Sequence, residues 1–187
     1  MPERLLTIAA FAGSLRKDSY NKALLRAAVE LAPPDMRIDP LDLSSLPLYN
    51  VDLDNDSPPG AVAALRDAIG RADGLLAVTP EHNFSMSAVT KTVIEWASRP
   101  ADNSVLDGKP VAVMGASTGG FGTARAQVHF RDTAGESGFL AMLDPAIYVS
   151  RAQEKFDASG RLAHESTRKA VREFLEAFAR WIKKMRA

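Results

Sequence analysis

Short apolar runs alternate with segments of helical periodicity along the chain, and this alternation limits the possible folds more than any other feature. Runs at 5–11, 74–78 and 110–116 are apolar on both faces, as strands buried between two layers are. Weaker runs lie at 36–43, where Pro40 indicates a sheet edge, and at 146–149. Helices are predicted at 21–31, 58–69, 87–98, 123–136 and 166–184. Such repeats predict right-handed crossovers, and therefore an α/β fold with a five-stranded parallel sheet covered by helices on both faces.

Composition narrows the class of protein. A chain of 187 residues with no visible linker predicts one domain, 1–187. Lys plus Arg equals Asp plus Glu at 23 each, so nothing in the net charge predicts binding to nucleic acid or to a membrane. The chain has no cysteine, and residues 1–4 lead directly into the first strand without a signal-peptide core. We therefore expect a cytoplasmic protein.

Open parallel sheets bind ligands outside the carboxyl ends of their strands, so the loops there carry the functional expectation. The loop after the first strand, 13–21, places the hydroxyls of Ser14 and Ser19 and the cations Arg16 and Lys17 beside a helix N-terminus. A helix N-terminus has free amides and suits a phosphate, and arginine can pair with two phosphate oxygens. The alternative interpretation is a surface turn with an ordinary helix cap.

Common nucleotide motifs are missing from this loop. The sequence has no G-x-x-x-x-G-K-[ST], which argues against an ATP or GTP site. It also has no G-x-G-x-x-G after the first strand, which disfavours a bound dinucleotide such as NAD or FAD there. A mononucleotide with a terminal phosphate remains compatible with this loop.

Two further loops have residues that suit a flat heteroaromatic ring. The loop at 79–85 offers rigid backbone around Pro80 and an aromatic wall at Phe84, although a simple turn would use the same residues. The loop at 116–122 is rich in glycine before a helix, which lets the backbone approach a ligand. Glycines needed only for helix–sheet packing are the alternative.

These segments together resemble the NADPH-dependent FMN reductase family, which includes bacterial quinone and chromate reductases. The resemblance is carried by G-S-L-R-K-x-S-x-N at 13–21, T-P-E-x-N-x-S at 79–85 and A-S-x-G-x-x-G at 116–122. Lys91, the run E-W-x-S-R at 95–99, Arg125 and Gln127 fit the same pattern. The match runs in order over almost the whole chain.

The resemblance implies a flavodoxin-like three-layer sandwich with strand order 2-1-3-4-5, FMN as cofactor and NADPH or NADH as hydride donor. Implied acceptors are quinones, free flavin, azo compounds or chromate, and the implied assembly is a homodimer or homotetramer. The predicted cofactor-binding residues are Ser14, Arg16, Ser19, Tyr20 and Asn21 near the phosphate, Pro80, Glu81, His82, Asn83, Phe84 and Ser85 beside the ring, and Ser117, Gly119 and Gly120 on its other side.

His82 and Phe84 stand where the family commonly has tyrosine, which bears on ring stacking and substrate preference. Because a flavin performs the redox chemistry itself, no catalytic side chain is predicted. The three scattered histidines do not suggest a metal site.

Two other functions compete with this interpretation. The run G-A-S-T-G at 115–119 matches G-x-S-x-G, and Ser117, Asp144 and His164 follow the order of an α/β-hydrolase triad. Glycines after Ser117 delay the helix that such a nucleophile needs. A non-enzymatic flavodoxin-like electron carrier is the other alternative, although carriers usually have an acidic face and this chain is neutral overall.

Overall fold

The strands that are apolar on both faces form the centre of a parallel sheet. The computed structural model describes residues 4–186. Residues 1–3 lie outside that range; they belong to the segment 1–4, from which we expected no signal peptide. The elements in chain order are β1 (Leu6–Ala12), α1 (Tyr20–Leu31), β2 (Met36–Pro40), α2 (Gly60–Arg71), β3 (Gly74–Val78), β4 (Glu81–His82), β5 (Ser85–Met86), α3 (Ala88–Ala97), β6 (Pro110–Ala116), α4 (Ala124–Asp132), α5 (Ala134–Ser137), β7 (Leu140–Ala141), β8 (Ile147–Val149) and α6 (Glu165–Met185).

The main sheet runs β2-β1-β3-β6, and both β7 and β8 pair with the outer edge of β6. All of these pairings are parallel. This is the predicted order 2-1-3-4-5, with the fifth position shared by two short strands. The sequence predicted only 146–149 there, so Leu140–Ala141 was missed. The chain leaves the sheet between them at 143–146, where Pro145 has no amide to donate to a ladder.

Side chains alternate along the central strands into two cores, one on each face of the sheet. Ile8 and Ala10 of β1 pack in the core beneath α1 and α6. Ala9 and Phe11 pack on the opposite face, in the core formed with α2, α3 and α4. The predicted apolar stripe of α6 is buried at Val171, Phe174, Leu175 and Phe178, whereas its predicted member Trp181 is only half-buried. Helices therefore cover both faces, as predicted.

Most elements lie within two residues of their predicted bounds, and two differ by more. The helix predicted at 123–136 is divided into α4 and α5 at Thr133, whose amide and hydroxyl both donate to the carbonyl of Phe130. The strand predicted at 36–43 ends at Pro40, and Leu41 adds one more bond by donating its amide to the carbonyl of Ala10. Among residues 4–186 no helix is both long enough and apolar enough to cross a bilayer.

Candidate functional site

The loops after β1, β3 and β6 meet at the carboxyl edge of the sheet around a cavity of about 540 Å³. Most predicted site residues line it: Ser14, Arg16, Ser19, Tyr20, Asn21, Pro80, Glu81, His82 and Ser117. The other predicted residues, Asn83, Phe84, Ser85, Gly119 and Gly120, are not among its lining residues. The cavity also has lining residues that were not among the predicted cofactor-binding residues: Gly13, Leu15, Ser87, Ala88, Val89, Ala116 and Thr118.

The first loop offers hydrogen-bond donors and a cation to this cavity. Ser19 caps α1, because its Oγ accepts from the amides of Asn21 and Lys22 at 3.2 and 3.4 Å. Its hydroxyl proton is still free to donate to an anion. Arg16 is exposed, donates to the carbonyl of Asp18 and lies with its guanidinium carbon 6.0 Å from the Tyr20 ring centre. A phosphate placed here would meet the positive end of α1 and a guanidinium.

Asn21 links the first loop to the third. Its Nδ2 donates to the carbonyl of Ala116 and its Oδ1 accepts from the amide of Ala116, both at 2.9 Å. The side chain is buried, at 4% exposure. Its observed contacts hold α1 against the end of β6, and its assignment as a phosphate ligand stays a prediction.

The second loop is a β-hairpin, in which β4 and β5 pair antiparallel across Asn83 and Phe84. Both of these residues have positive φ, 49° and 64°, as the centre of a two-residue hairpin turn requires. Pro80 is buried and His82 is exposed at the cavity, whereas Phe84 is 63% exposed. The hairpin therefore places the backbone before its turn on the cavity, and the Phe84 ring on the open surface.

Glu81 is held by the start of α4. Its carboxylate accepts from the amides of Arg125 and Ala126 at 3.0 and 3.3 Å, and from the guanidinium of Arg125 at 2.7 Å. Arg125 lies between two exposed rings, 3.9 Å from the centre of Phe84 and 4.5 Å from that of Phe121. The carboxylate thus neutralises a cation and caps a helix, while Glu81 still lines the cavity.

A buried hydroxyl network, which sequence reasoning missed, joins the first two loops. Ser87 donates to the carbonyl of Gly13 at 2.6 Å and lies 3.0 Å from the hydroxyl of Thr90. The Thr90 hydroxyl in turn lies 2.9 Å from that of Thr79. All three hydroxyl residues are at most 3% exposed. The only sequence signal was Ser87 before a helix, which suggests a cap but not this cross-loop contact.

The glycines of the third loop have two different roles. A side chain at Gly122, which has φ of 56°, would meet the Tyr148 backbone at 2.7 Å, so this glycine is needed for packing. A side chain at Gly120 would meet nothing within 4 Å, and one at Gly119 would meet only Ser117 Oγ at 3.5 Å. The space left at these two positions suits close approach of a ligand to the backbone.

The hydrolase triad is not assembled. Ser117 lines the cavity and its Oγ accepts from the amide of Gly119 at 3.1 Å. His164 lines a different cavity, where Nε2 lies 3.0 Å from Lys155 Nζ and Nδ1 lies 2.9 Å from Thr167 Oγ1. In addition, α4 begins only at Ala124, well after Ser117, so the nucleophile turn of that fold is missing. The order of the three residues in the sequence was misleading.

Similarity to known proteins decides between the remaining interpretations. A family model described as NADPH-dependent FMN reductase matches residues 6–154. The chain belongs to this family. It is 44% identical over 181 residues to the 2-hydroxy-1,4-benzoquinone reductase of Burkholderia sp, covering 97% of this chain and 98% of that protein. It is 43% identical over 187 residues to the NAD(P)H-dependent FMN reductase of Pseudomonas aeruginosa, covering 97% of each.

A solved structure agrees with both relatives. The flavoenzyme NAD(P)H:acceptor oxidoreductase FerB from Paracoccus denitrificans superposes with a TM-score of 0.88 at 38% identity, covering 96% of this chain and 98% of that one. As a member of the NADPH-dependent FMN reductase family, the chain is a flavin-dependent oxidoreductase of flavodoxin-like fold. The predictions of family, fold, cofactor and enzyme class are therefore confirmed.

The cavity fits the FMN that this family uses. The positive end of α1, the Ser19 hydroxyl and Arg16 suit a phosphate. The rigid backbone at Pro80 suits the edge of a flat ring, and the open space over Gly119 and Gly120, next to the lining residues Ser117 and Thr118, leaves room beside the cavity. Which atoms contact each part of the flavin stays a prediction.

Proposed function

We propose that this FMN reductase family member reduces small quinones with NAD(P)H in the cytoplasm, as a single-domain protein. Each turnover consumes NAD(P)H, a proton and a quinone, and yields NAD(P)⁺ and the hydroquinone. FMN held at this site would supply the hydride-transfer chemistry between donor and acceptor. The observation that carries the proposal is the high identity over nearly full length to a benzoquinone reductase, together with a cavity that fits FMN.

In this scheme the chain's own residues bind the flavin and orient it. Arg16 and the Ser19 hydroxyl hold the phosphate, so the ring is placed toward Pro80 and the third loop. Donor and acceptor use the same open face in turn. His82, exposed at the cavity, is the polar group placed to meet them. No proton-transfer residue is required, because the acceptor can take its one proton from water at this open rim.

The test uses purified protein reconstituted with FMN. We expect a bound-flavin visible spectrum, and oxidation of NADPH that accelerates when 1,4-benzoquinone is added. Unaided turnover would also distinguish an enzyme from an electron carrier, which needs a separate reductase. Protein that remains colourless after reconstitution and leaves NADPH unchanged would contradict the proposal. A parallel panel of free FMN, an azo dye and chromate would define the range of acceptors.

We also infer a homodimer or homotetramer. Phe84 and Phe121 are 63% and 67% exposed and are brought together by the Arg125 guanidinium. Exposed aromatic rings grouped around an arginine are typical of protein interfaces. Light scattering should give a mass of two or four chains, and Phe121→Asp should shift it to a smaller species. A monomeric wild-type protein would contradict the inference.

A further inference from the structure

A second and larger cavity of about 660 Å³ lies between α1 and the segment that follows β2. Its walls are mainly aliphatic and include Leu25, Val29 and Leu41. Val29 and another lining residue, Leu15, are 41% and 54% exposed, so apolar surface of this cavity is open to solvent. Apolar walls of this size fit a flat organic group such as a nucleobase.

This cavity adjoins the proposed flavin site. Ser14 and Leu15 line both cavities, and they lie in the loop assigned to the phosphate. The phosphate is the end of FMN, so FMN alone leaves the second cavity unused. A group attached to that same phosphate would have to pass Leu15 and enter the second cavity.

Charged groups lie at two sides of the cavity. Lys22, Arg26 and Glu30 of α1 line one side, and Lys22 Nζ donates at 3.1 Å to the carbonyl of Leu15, a residue that lines both cavities. Asp42 lies on the other side, where its two oxygens accept from the amide and hydroxyl of Ser44 at 2.9 Å each. These hydrogen bonds hold the pKa of Asp42 below its ordinary value, so the carboxylate is ionised at neutral pH.

The position of Asp42 suits a hydrogen bond to a ribose hydroxyl. It follows directly after β2, the strand next to β1. In dinucleotide-binding α/β proteins, a carboxylate near this place accepts hydrogen bonds from the ribose of adenosine. Each Asp42 oxygen can accept a further bond, because an ionised carboxylate has about four acceptor positions.

We propose that this cavity holds the adenosine half of a flavin adenine dinucleotide, so that the chain binds FAD as well as FMN. The proposal rests on the proposed function, because it places the phosphate next to the flavin in the first loop. Adenine packs on Leu25 and Val29, Asp42 accepts from the ribose, and Lys22 neutralises the second phosphate. The absence of G-x-G-x-x-G excludes a glycine cradle for a pyrophosphate, and the Lys22 cation takes over that role.

The experiment measures binding of FMN, FAD and riboflavin to the apoprotein by flavin fluorescence and calorimetry. Val29→Arg fills the second cavity with a long side chain, so we expect FAD affinity to fall roughly tenfold or more while FMN affinity is unchanged. Val29→Ala is the matched control and should preserve both affinities. Asp42→Asn should weaken FAD by roughly tenfold through the lost charged acceptor, whereas Asp67→Asn on α2 should change neither affinity.

Each outcome has one meaning. If FMN binds and FAD does not, or if Val29→Arg weakens both flavins equally, the second cavity is not an adenosine site and the proposed function still stands. If neither flavin binds, the proposed function itself fails. If Val29→Arg raises the KM for NAD(P)H without changing FAD affinity, the cavity belongs to the hydride donor and the FAD assignment is overturned.

Discussion

The side-chain amide of Asn21 is hydrogen-bonded to both backbone groups of Ala116, at 2.9 Å each, and so ties the start of α1 to the end of β6. The first loop of the cavity ends at Asn21, and the third loop begins at Ala116. Asn21→Ala leaves a buried amide and a buried carbonyl without these partners, and we expect the free energy of unfolding to fall by about 2–4 kcal/mol. Urea denaturation of the apoprotein measures this.

The control for Asn21 is Asn55→Ala, because both side-chain bonds of Asn55 are exposed: its amide donates to the Asp52 carbonyl and its oxygen accepts from the Ser57 amide. That change should cost less than about 0.5 kcal/mol. An equal loss in both variants would show that the link between Asn21 and Ala116 contributes little to stability.

Arg16 should discriminate between flavins that have a phosphate and those that lack one. Arg16→Ala removes the exposed guanidinium that lines the cavity, so FMN affinity should fall roughly tenfold or more. Riboflavin has no phosphate, and its affinity should be unchanged. Lys17→Ala, which removes a neighbouring cation that is not among the lining residues, should have a smaller effect on FMN. Unchanged FMN affinity in Arg16→Ala would place the phosphate elsewhere.

Glu81 should contribute more to stability than an exposed ion pair does. Its carboxylate is 9% exposed and accepts from two backbone amides as well as from Arg125. Glu81→Gln keeps the shape but removes the charge, and we expect the free energy of unfolding to fall by about 1–3 kcal/mol. Glu95→Gln breaks the exposed pair with Lys91 and should cost less than about 1 kcal/mol. Equal losses by urea denaturation would contradict this assignment.

The pH dependence of stability should include a contribution from Asp35. Lys183 donates to its carboxylate at 2.8 Å, and this bond holds the pKa of Asp35 below its ordinary value. Because the folded pKa is lower than the unfolded one, the stabilisation is complete above roughly pH 4 and is lost as pH falls through the folded pKa. Asp35→Asn should therefore be less stable than wild type at pH 7, with a difference that shrinks in acid. A difference independent of pH would exclude this linkage.

The sequence predicted most accurately the strands that are buried on both faces of the sheet. Residues 74–78 and 110–116 match β3 and β6 residue for residue, since strands buried on both faces leave a continuous apolar run. The edge strand β7 was harder to predict, because Leu140–Ala141 has two residues, too few to show any period. The break between α4 and α5 depends on the hydroxyl of Thr133, which no helical periodicity reports.

The location of the candidate site could be predicted from the sequence, but its side-chain contacts could not. Because parallel strands end at one edge, three loops far apart in sequence had to converge. The partner of Asn21 is Ala116, and that of Glu81 is Arg125; both pairings join segments far apart in the chain. The hydroxyl network around Thr90 depends on the same long-range packing. Local patterns cannot report such pairings, so side-chain roles required the structure.

Two glycines of the site should respond in opposite ways to the same added methyl group. A Cβ at Gly13 would overlap the buried Thr90 hydroxyl, so Gly13→Ala should disrupt the hydroxyl network and lower the free energy of unfolding by about 1–3 kcal/mol. Gly120 has nothing within 4 Å of such a Cβ and has no positive φ, so Gly120→Ala should leave stability unchanged. If the flavin lies over this loop, the methyl group still narrows its space, and FMN affinity should fall. Urea denaturation and fluorescence titration separate the two effects. Full FMN affinity in Gly120→Ala would show that the flavin does not lie over the third loop. Undiminished stability in Gly13→Ala would show that the Thr90 side chain can shift to admit the methyl group.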